Sequence, residues 1–581
     1  MAGSAATSPA AAAAAKAKAK ALAKVLRQRN NVNSVKFLAA GSVGVMFLFI
    51  LFHWTRIFFK RYQAKKAGNG ALLKGPVAAT RIARSIFIRK IPCFTSAGHA
   101  LVFLCYVATC LAIAFTNLDW STLNYWAKRL GWVATANLVL VTFLGLKNTP
   151  LAFLTAYSYE RLNVLHRIVG YGTVFWSVLH AVVYIDAWAK SDSLDELLYK
   201  VQIMGEVAGF AMLIIAASSL LIRKLQYEIW YVIHIVMYML ILIGVGMHRP
   251  DWADKTVIIV IFTACMWVCD RLVRFAKLSL FSVGNTATLE PLPHGGTRIT
   301  LRKAPSMAKP GTHCFIWMPK IRPTETHPFT VASSEKGSLQ FVVAAYDGFT
   351  RDLHNYAVKN PGATLKASID GPYGTIPDFS EYTRVVLIAG GSGGSFTFGV
   401  AIDTIRKLVQ DTKTRIEFVW VVREQESIAW FGTELQELIA SHLVNLHIHS
   451  TRNTSASIHP HSHSTSSSSS VNSSDVEKVS LPEASANNTA AAADTDIDIE
   501  KHPESATANA SSAARSVTVH AGRPDVAKII TDTVAMCDAH DRVAVAACGP
   551  DSLMDVTRGT VANCIKTDGP SVELHCEQFG W

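Results

Sequence analysis

Two apolar stretches of this chain each carry a pair of histidines, and the spacing is the same in both. The segment HRIVGYGTVFWSVLH holds His166 and His180; HIVMYMLILIGVGMH holds His234 and His248. Each interval is fourteen residues. Fourteen steps of an α-helix return to within roughly 40° of the same face and rise about 21 Å. Each helix therefore presents two imidazoles on one stripe, one near each side of a bilayer. An imidazole inside a bilayer is costly and marks a functional position. Two neutral imidazoles facing each other about 4 Å apart suit the two axial positions of a haem iron. The chemistry expected is one-electron transfer along two stacked b-type haems. A satisfied core histidine is the alternative for any one of the four; matched pairs on two helices favour ligation. His53 and His99 have no such partner and are read as structural. Gly170 and Gly172 leave room for a porphyrin plane or for ordinary helix packing.

The elements that position these histidines follow from hydropathy. Residues 35–59, 96–116, 131–146, 163–185, 203–222, 229–248 and 256–276 are apolar runs. Most approach the roughly 20 residues needed to span a bilayer, so seven spans are expected within a transmembrane domain over 35–276. One span, 203–222, separates the two histidine helices, which therefore run parallel. His166 is then level with His234, and His180 with His248.

Charge supports the same layout. The 581-residue chain is half hydrophobic and carries a net charge of +13. Its basic clusters at 60–66, 81–90 and 223–224 flank apolar runs, as the positive-inside rule requires, and no basic patch interleaved with aromatics suggests nucleic acid. A cytosolic soluble half places loops 60–95, 147–162 and 223–228 in the cytosol. The outer loop 186–202 instead carries Asp186, Asp192, Asp195 and Glu196. The lysine-rich N-terminus, which seven spans put outside, is the exception. Residues 1–34 read as a disordered or weakly helical basic tail with no cleavable signal peptide. The ten cysteines form no CxxC pair, and Cys105, Cys110, Cys265 and Cys269 lie in apolar segments as small hydrophobes. No disulfide scaffold is expected.

After residue 280 the pattern becomes soluble. TRITLRK, CFIWMPK, LQFVVAAY and TLKASIDGPYG are short strands separated by turns, a small antiparallel β-barrel over 280–376. From 383 to 581 strands and helices alternate, as in a nucleotide-binding parallel sheet. Residues 453–520 are too polar to offset the entropy of ordering and read as a disordered insertion. Asn453 and Asn472 there match glycosylation sequons; His459, His461 and His463 belong to a polar linker or a metal site.

His327-Pro328-Phe329-Thr330-Val331-Ala332-Ser333, with the histidine quartet upstream, closely resembles the flavin motif of the ferric reductase and NADPH oxidase family. Glu577-Gln578-Phe579-Gly580-Trp581 and GGSGGSFTFG look most like the fungal ferric-chelate reductase branch. The resemblance covers about residues 90–452 and 520–581. It implies an all-α transmembrane haem bundle followed by a ferredoxin-reductase-like module, a β-barrel binding FAD and an α/β domain binding NADPH. By that resemblance His327, Pro328, Phe329 and Thr330 hold the flavin ring and ribityl chain. Thr350 caps the helix beside the FAD pyrophosphate and Arg351 meets phosphate. Gly371-Pro372-Tyr373-Gly374 closes the flavin domain.

Gly390, Gly391, Gly393 and Gly394 lie between an apolar strand and a helix, where backbone approaches a pyrophosphate; the spacing is not GxGxxG. The resemblance places Cys548, in Cys548-Gly549-Pro550, against the nicotinamide and Trp581 over the flavin. Arg423 or Arg523 meets the 2′-phosphate of NADPH, or is a plain surface arginine. His294 and His313 receive no catalytic role.

The function implied is a ferric-chelate reductase of the plasma membrane, with the vacuolar or another endomembrane as the alternative. Electrons pass from cytosolic NADPH through FAD and two haems to extracytoplasmic Fe(III) or Cu(II), and a multicopper oxidase or iron permease takes the product. An NADPH oxidase is the alternative. Family oxidases carry a further histidine one turn beyond the outer ligand, where this chain has Tyr184. The acidic outer loop 186–202 either favours a cationic metal or is a plain solvated face. A non-catalytic membrane protein with a degenerate reductase tail is the third reading, and the intact flavin, glycine and Cys-Gly-Pro motifs argue against it.

Overall fold

The computed structural model describes residues 9–65, 74–249, 254–335, 337–408, 413–452, 477–478 and 518–577. The first 280 residues are helical: α1 (Pro9–Lys65), α2 (Lys74–Phe87), α3 (Ala97–Phe115), α4 (Leu123–Leu144), α5 (Leu151–Thr155), α6 (Tyr159–Lys190), α7 (Lys200–Leu221), α8 (Tyr227–Met247) and α9 (Asp254–Leu280). Six of them, α1, α3, α6, α7, α8 and α9, are long and apolar enough to cross a membrane. The protein is a multi-pass membrane protein.

The run expected as the third span is the exception. It falls in α4, which starts eight residues earlier than the apolar run and takes in Lys128 and Arg129, so it does not count as apolar enough. It is still 22 residues long and packs against α1, α6 and α9.

The N-terminus takes the helical of its two alternatives. Residues 9–34 are the first half of α1 rather than a disordered tail. Alanine, lysine, leucine and arginine are strong helix formers, and here they continue a helix that the apolar span anchors. The basic residues of the 60–95 region have direct partners as well as a membrane side. Arg81 donates to the carbonyls of Lys566, Thr567 and Gly569, Arg84 to that of Val572, and Lys90 pairs with Asp555. Arg56, near the end of α1, pairs with Glu573. The C-terminal domain therefore docks on this face of the bundle.

The barrel comprises β1 (Thr286–Leu292), β2 (Gly296–Leu301), β3 (His313–Trp317), β4 (His327–Thr330), β5 (Ser333–Glu335), β6 (Ser338–Ala344), β7 (Thr364–Lys366) and β8 (Ser368–Tyr373), with α10 (Phe349–Lys359). Two antiparallel sheets, β5-β6-β2-β1-β7 and β4-β3-β8, enclose a core of Leu289, Ile299, Ile316, Phe341, Phe349 and Leu353.

The last domain holds β9 (Arg384–Gly390), α11 (Gly394–Lys407), β10 (Arg415–Val422), α12 (Gly432–Ala440), β11 (Val444–Ser450), β12 (Glu477–Lys478), β13 (Thr518–Ala521), α13 (Val526–Ala535), β14 (Arg542–Cys548), α14 (Asp551–Cys564) and β15 (Ser571–Glu577). Its sheet runs β12-β13-β11-β10-β9-β14-β15, parallel except for the β12–β13 pair. β9 is central and its run Val385–Ala389 is fully buried, as a strand covered on both faces must be. Strand order reverses between β9 and β14, and the crevice above their C-terminal ends is where such sheets bind ligands.

The expected insertion ends earlier than residue 520. Residues 518–521 form β13 beside β11, pairing Val519 with Ile448. Four residues of strand within a polar tract carry too little hydrophobic pattern to be read alone. Asn453, Asn472, His459, His461 and His463 lie outside the described residues.

Two buried ion pairs join the parts. Arg298 of β2 binds Glu434 of α12 at 2.8 Å and donates to the Trp430 carbonyl. Arg274 of α9 binds Asp370 of β8 at 2.6 Å, and Asp370 is fully buried. Removing one partner of a buried pair leaves an uncompensated charge, at a cost of about 3–5 kcal/mol. Arg274→Ala is therefore expected to lower the thermal unfolding temperature of the full chain in detergent. An unchanged melting curve would show that the pair does not hold the barrel to the bundle.

Candidate cofactor sites

In the membrane bundle α6 packs closely on α4, and α7 on α8. The four histidines point into the space between α6 and α8. His166 faces His234 with ring centroids 6.2 Å apart, and His180 faces His248 at 6.1 Å. Two metal–imidazole bonds of about 2 Å and two half-rings of about 1.1 Å sum to about 6 Å, so both pairs fit a shared axial metal. His248 lies just past the last residue of α8, as its C-cap.

Three of the four rings are oriented by a neighbouring helix. His166 Nδ1 donates to the Val141 carbonyl (2.8 Å), His180 Nδ1 to that of Ala127 (2.7 Å) and His248 Nδ1 to that of Val201 (2.7 Å). Each bond fixes the proton on Nδ1 and leaves the Nε2 lone pair for a metal. Each carbonyl lies four residues before a glycine whose missing side chain admits the ring. A Cβ on Gly131 would stand 2.8 Å from His180, one on Gly145 3.0 Å from His166, and one on Gly205 would overlap His248. His234 differs: its Nδ1 is buried without a hydrogen-bond partner among the described residues.

Gly170 and Gly172 serve helix packing. The first faces Val141 and the second the Tyr106 hydroxyl. His99 is held by Thr95 and Ser96, and His53 packs edge-on against Trp54. Tyr184 stacks edge-on against His180 at 5.2 Å and touches Trp188.

The flavin motif is β4, paired with β3. β3 is buried for most of its length, whereas His327, Pro328, Phe329 and Thr330 are all half-uncovered. That partly open strand beside the start of α10 fits a planar ligand. The His327 ring lies on Phe349 at 4.2 Å and 17°, and its Nε2 is 3.0 Å from Glu325. Burial holds His327 below its ordinary pKa, partly opposed by Glu325, so it is neutral at pH 7.

Gly348, at φ +70°, is the N-cap of α10 in place of Thr350. The Thr350 hydroxyl instead accepts from the Tyr346 N–H (2.9 Å), because it sits two residues inside the cap and turns back over the preceding loop. Arg351 pairs with Asp347. Gly371 lies within β8 and Gly374 directly follows it, and a Cβ on Gly371 would press into Cys314.

Arg322, which carried no sequence signal, bonds Glu325 (3.0 Å), Asp352 (2.9 Å) and Glu228 (3.3 Å). Glu228 lies in the first turn of α8, so this arginine ties the flavin motif to the helix that carries His234.

At the switch point Cys548 stands in register with Ala389. A Cβ on Gly390 would lie 2.8 Å from Pro550, and one on Gly393 would enter the Cys548 carbonyl. The glycine loop and Cys548-Gly549-Pro550 therefore form two walls of one crevice. No acidic residue occupies the first turn of α11, whose N-terminus suits a phosphate. Burial, aided by Glu577, pushes the Cys548 thiol up to about 12, so it stays protonated and is no nucleophile.

Arg423 and Arg523 follow β10 and β13, and Arg452 follows β11 between them; all three are exposed. The Arg452 N–H donates to the Arg423 carbonyl at 2.8 Å. Sequence reasoning missed Arg452 because the polar insertion hides the adjacency of β11 and β13. His294 pairs with Glu424, and His313 with Glu160 and Tyr159. Trp581 lies outside the described residues.

Three family models match successive segments: "Ferric reductase like transmembrane component" over 130–245, "FAD-binding domain" over 282–376, and "Ferric reductase NAD binding domain" over 382–562. The "Probable cell surface ferric reductase kap2" of Aspergillus oryzae is 29% identical over 53% of this chain and 45% of its own length. The "Ferric/cupric reductase transmembrane component 2" of Schizosaccharomyces pombe is 26% identical over 58% of this chain and 67% of its own length. The protein of that same description from Saccharomyces cerevisiae is 26% identical over 58% of this chain and 48% of its own length. The chain thus spans about half the length of two of these three relatives.

Proposed function

We propose that this chain, which belongs to the ferric reductase family, is a transmembrane ferric-chelate reductase that uses NADPH. The observation that carries this reading is the pair of histidine levels, 6.2 and 6.1 Å apart ring to ring, beneath a flavin-motif strand and a nucleotide crevice. Bound FAD would supply the change from hydride to one-electron chemistry, and two b-type haems held by His166/His234 and His180/His248 would supply one-electron transfer across the membrane.

The protein's own residues hold and orient. His166 and His234 form the level nearer the flavin domain, and His180 and His248 the outer level. Val141, Ala127 and Val201 fix three of the imidazoles through their carbonyls. His327, Phe329 and Thr330 seat the flavin, and the α10 N-terminus faces its phosphates. Gly390–Gly394 and Cys548-Gly549 line the nucleotide. No protein acid or nucleophile is required, in keeping with a protonated Cys548 and a neutral His327.

NADPH is favoured over NADH by Arg423, Arg452 and Arg523 on adjacent strand ends, where guanidinium groups meet a 2′-phosphate. The double variant Arg423→Ala/Arg452→Ala is expected to raise KM for NADPH by about ten- to a hundredfold, and KM for NADH less than about twofold. Equal effects on both would leave the arginines without a part in the choice.

The acceptor is proposed to be chelated Fe(III) or Cu(II) outside the membrane, with the plasma membrane as location and an oxidase or permease taking the product. Oxygen is the second reading, and Tyr184 in place of a histidine one turn beyond His180 weighs against it. NADPH-dependent reduction of a ferric chelate is expected to persist with superoxide dismutase present. Reduction that disappears with dismutase would make superoxide the product and the chelate a secondary acceptor.

A further inference from the structure

A cavity of about 480 Å³ opens at the end of the bundle opposite the flavin and nucleotide domains. Its walls are the first half of α1, the loop between α3 and α4, and the start of α4. Lys20, Lys24, Arg27, Lys128 and Arg129 line it, against a single carboxylate, Asp119. Asp119 is already engaged, accepting from Arg27 at 3.1 Å and from the Ser121 hydroxyl and N–H.

Arg129 is 2% exposed, yet among the described residues no acid bonds to it. Its bonds go to neutral oxygens: Asn31 Oδ1 and the carbonyls of Ile113, Thr116 and Asn117. A buried cation held only by dipoles leaves its charge to be met by something else. The cavity therefore carries a strong positive potential that attracts anions.

Its position gives the charge a use. Lys128 and Arg129 directly follow Ala127, the residue whose carbonyl orients His180 of the outer pair. One wall of the cavity is thus the helix that supports the outer end of the electron path. The acidic loop 186–202 does not line it.

We infer that this cavity is the acceptor site, and that it selects anionic, carboxylate-chelated Fe(III) rather than a bare or cationic metal. The inference rests on the reductase reading above and specifies its substrate class. Fe(III) in the chelate gains one electron, drawn from pyridine-nucleotide oxidation, and no bond to the protein forms or breaks. Of the two readings of the acidic outer loop, this one accords with the solvated face rather than a site for a cationic metal.

The test is the variant Lys20→Gln/Lys24→Gln/Lys128→Gln in the full chain, in nanodiscs of neutral phosphatidylcholine, with NADPH as donor. KM for Fe(III)–EDTA, an anion, is expected to rise about tenfold, while KM for the cation hexaammineruthenium(III) falls. The two moving together, or neither moving, would overturn the site. Binding of redox-inert Ga(III)–EDTA, followed by calorimetry, separates this inference from the parent reading. Binding to the unsubstituted chain and its loss in the variant support the cavity even where no acceptor is reduced. No binding to the unsubstituted chain, or displacement of Ga(III)–EDTA by anionic lipid in the disc at equal charge, overturns it.

Discussion

His180→Ala is expected to lower acceptor reduction by about a hundredfold or more, while reduction of bound flavin by NADPH continues within about twofold. His180 lies in α6 at the level of His248, fourteen residues along the helix from the inner histidine His166. Its loss removes one of two axial groups at the outer level only. The inner pair His166/His234 and the nucleotide crevice are untouched. Stopped-flow absorbance separates the two steps, flavin bleaching and then acceptor reduction. The matching variant His166→Ala is expected to block transfer one stage earlier, leaving neither level reducible by NADPH. Equal loss of flavin reduction and acceptor reduction in His180→Ala would contradict the order of the path.

Gly205→Ala is expected to remove the outer metal site almost as completely, though it changes no ligand. The added Cβ overlaps the imidazole of His248, whose Nδ1 is tied to Val201 one turn earlier on the same helix. The ring cannot keep both that bond and its place opposite His180. Loss of such supporting contacts typically costs ten- to a hundredfold in metal affinity or activity. Pyridine haemochrome analysis should find about half the haem of the unsubstituted protein. Gly209→Ala is the control: it lies one turn further along α7, and its Cβ would meet nothing within 4 Å. It is expected to be neutral or to stabilise the helix by up to about 1 kcal/mol. Full haem content in Gly205→Ala, with an unchanged spectrum, would remove the steric account of His248.

The histidines were readable because a bilayer makes polar residues conspicuous, and counting spans was enough to pair them. Their supports were not. Val141, Ala127 and Val201 act through backbone carbonyls, which no side-chain pattern encodes. Gly131, Gly145 and Gly205 look like the many other glycines of apolar helices until the rings they admit are seen. The barrel and the parallel sheet were legible from strand periodicity, and the glycine loop and Cys548 from their places after apolar strands.

Other features needed three dimensions. Arg322 and Arg452 depend on residues distant in sequence, Glu228 and the neighbouring strand ends. Thr350 has the residue type of a cap but not the position, which Gly348 takes because the chain turns there with positive φ. Composition alone leaves the Ala/Lys-rich segment before residue 35 open between a solvated tail and a helix, because it does not separate the two for a strong helix former attached to a span. The difference matters, since Lys20, Lys24 and Arg27 lie within it.

The central claim is that two bis-histidyl haem sites lie one above the other between α6 and α8. A reduced-minus-oxidised difference spectrum of the purified full chain, with haem quantified per polypeptide, tests it most directly. Two b-type haems per chain, both reduced by NADPH without oxygen, are the predicted result. A preparation with no reducible b-type absorbance would contradict it.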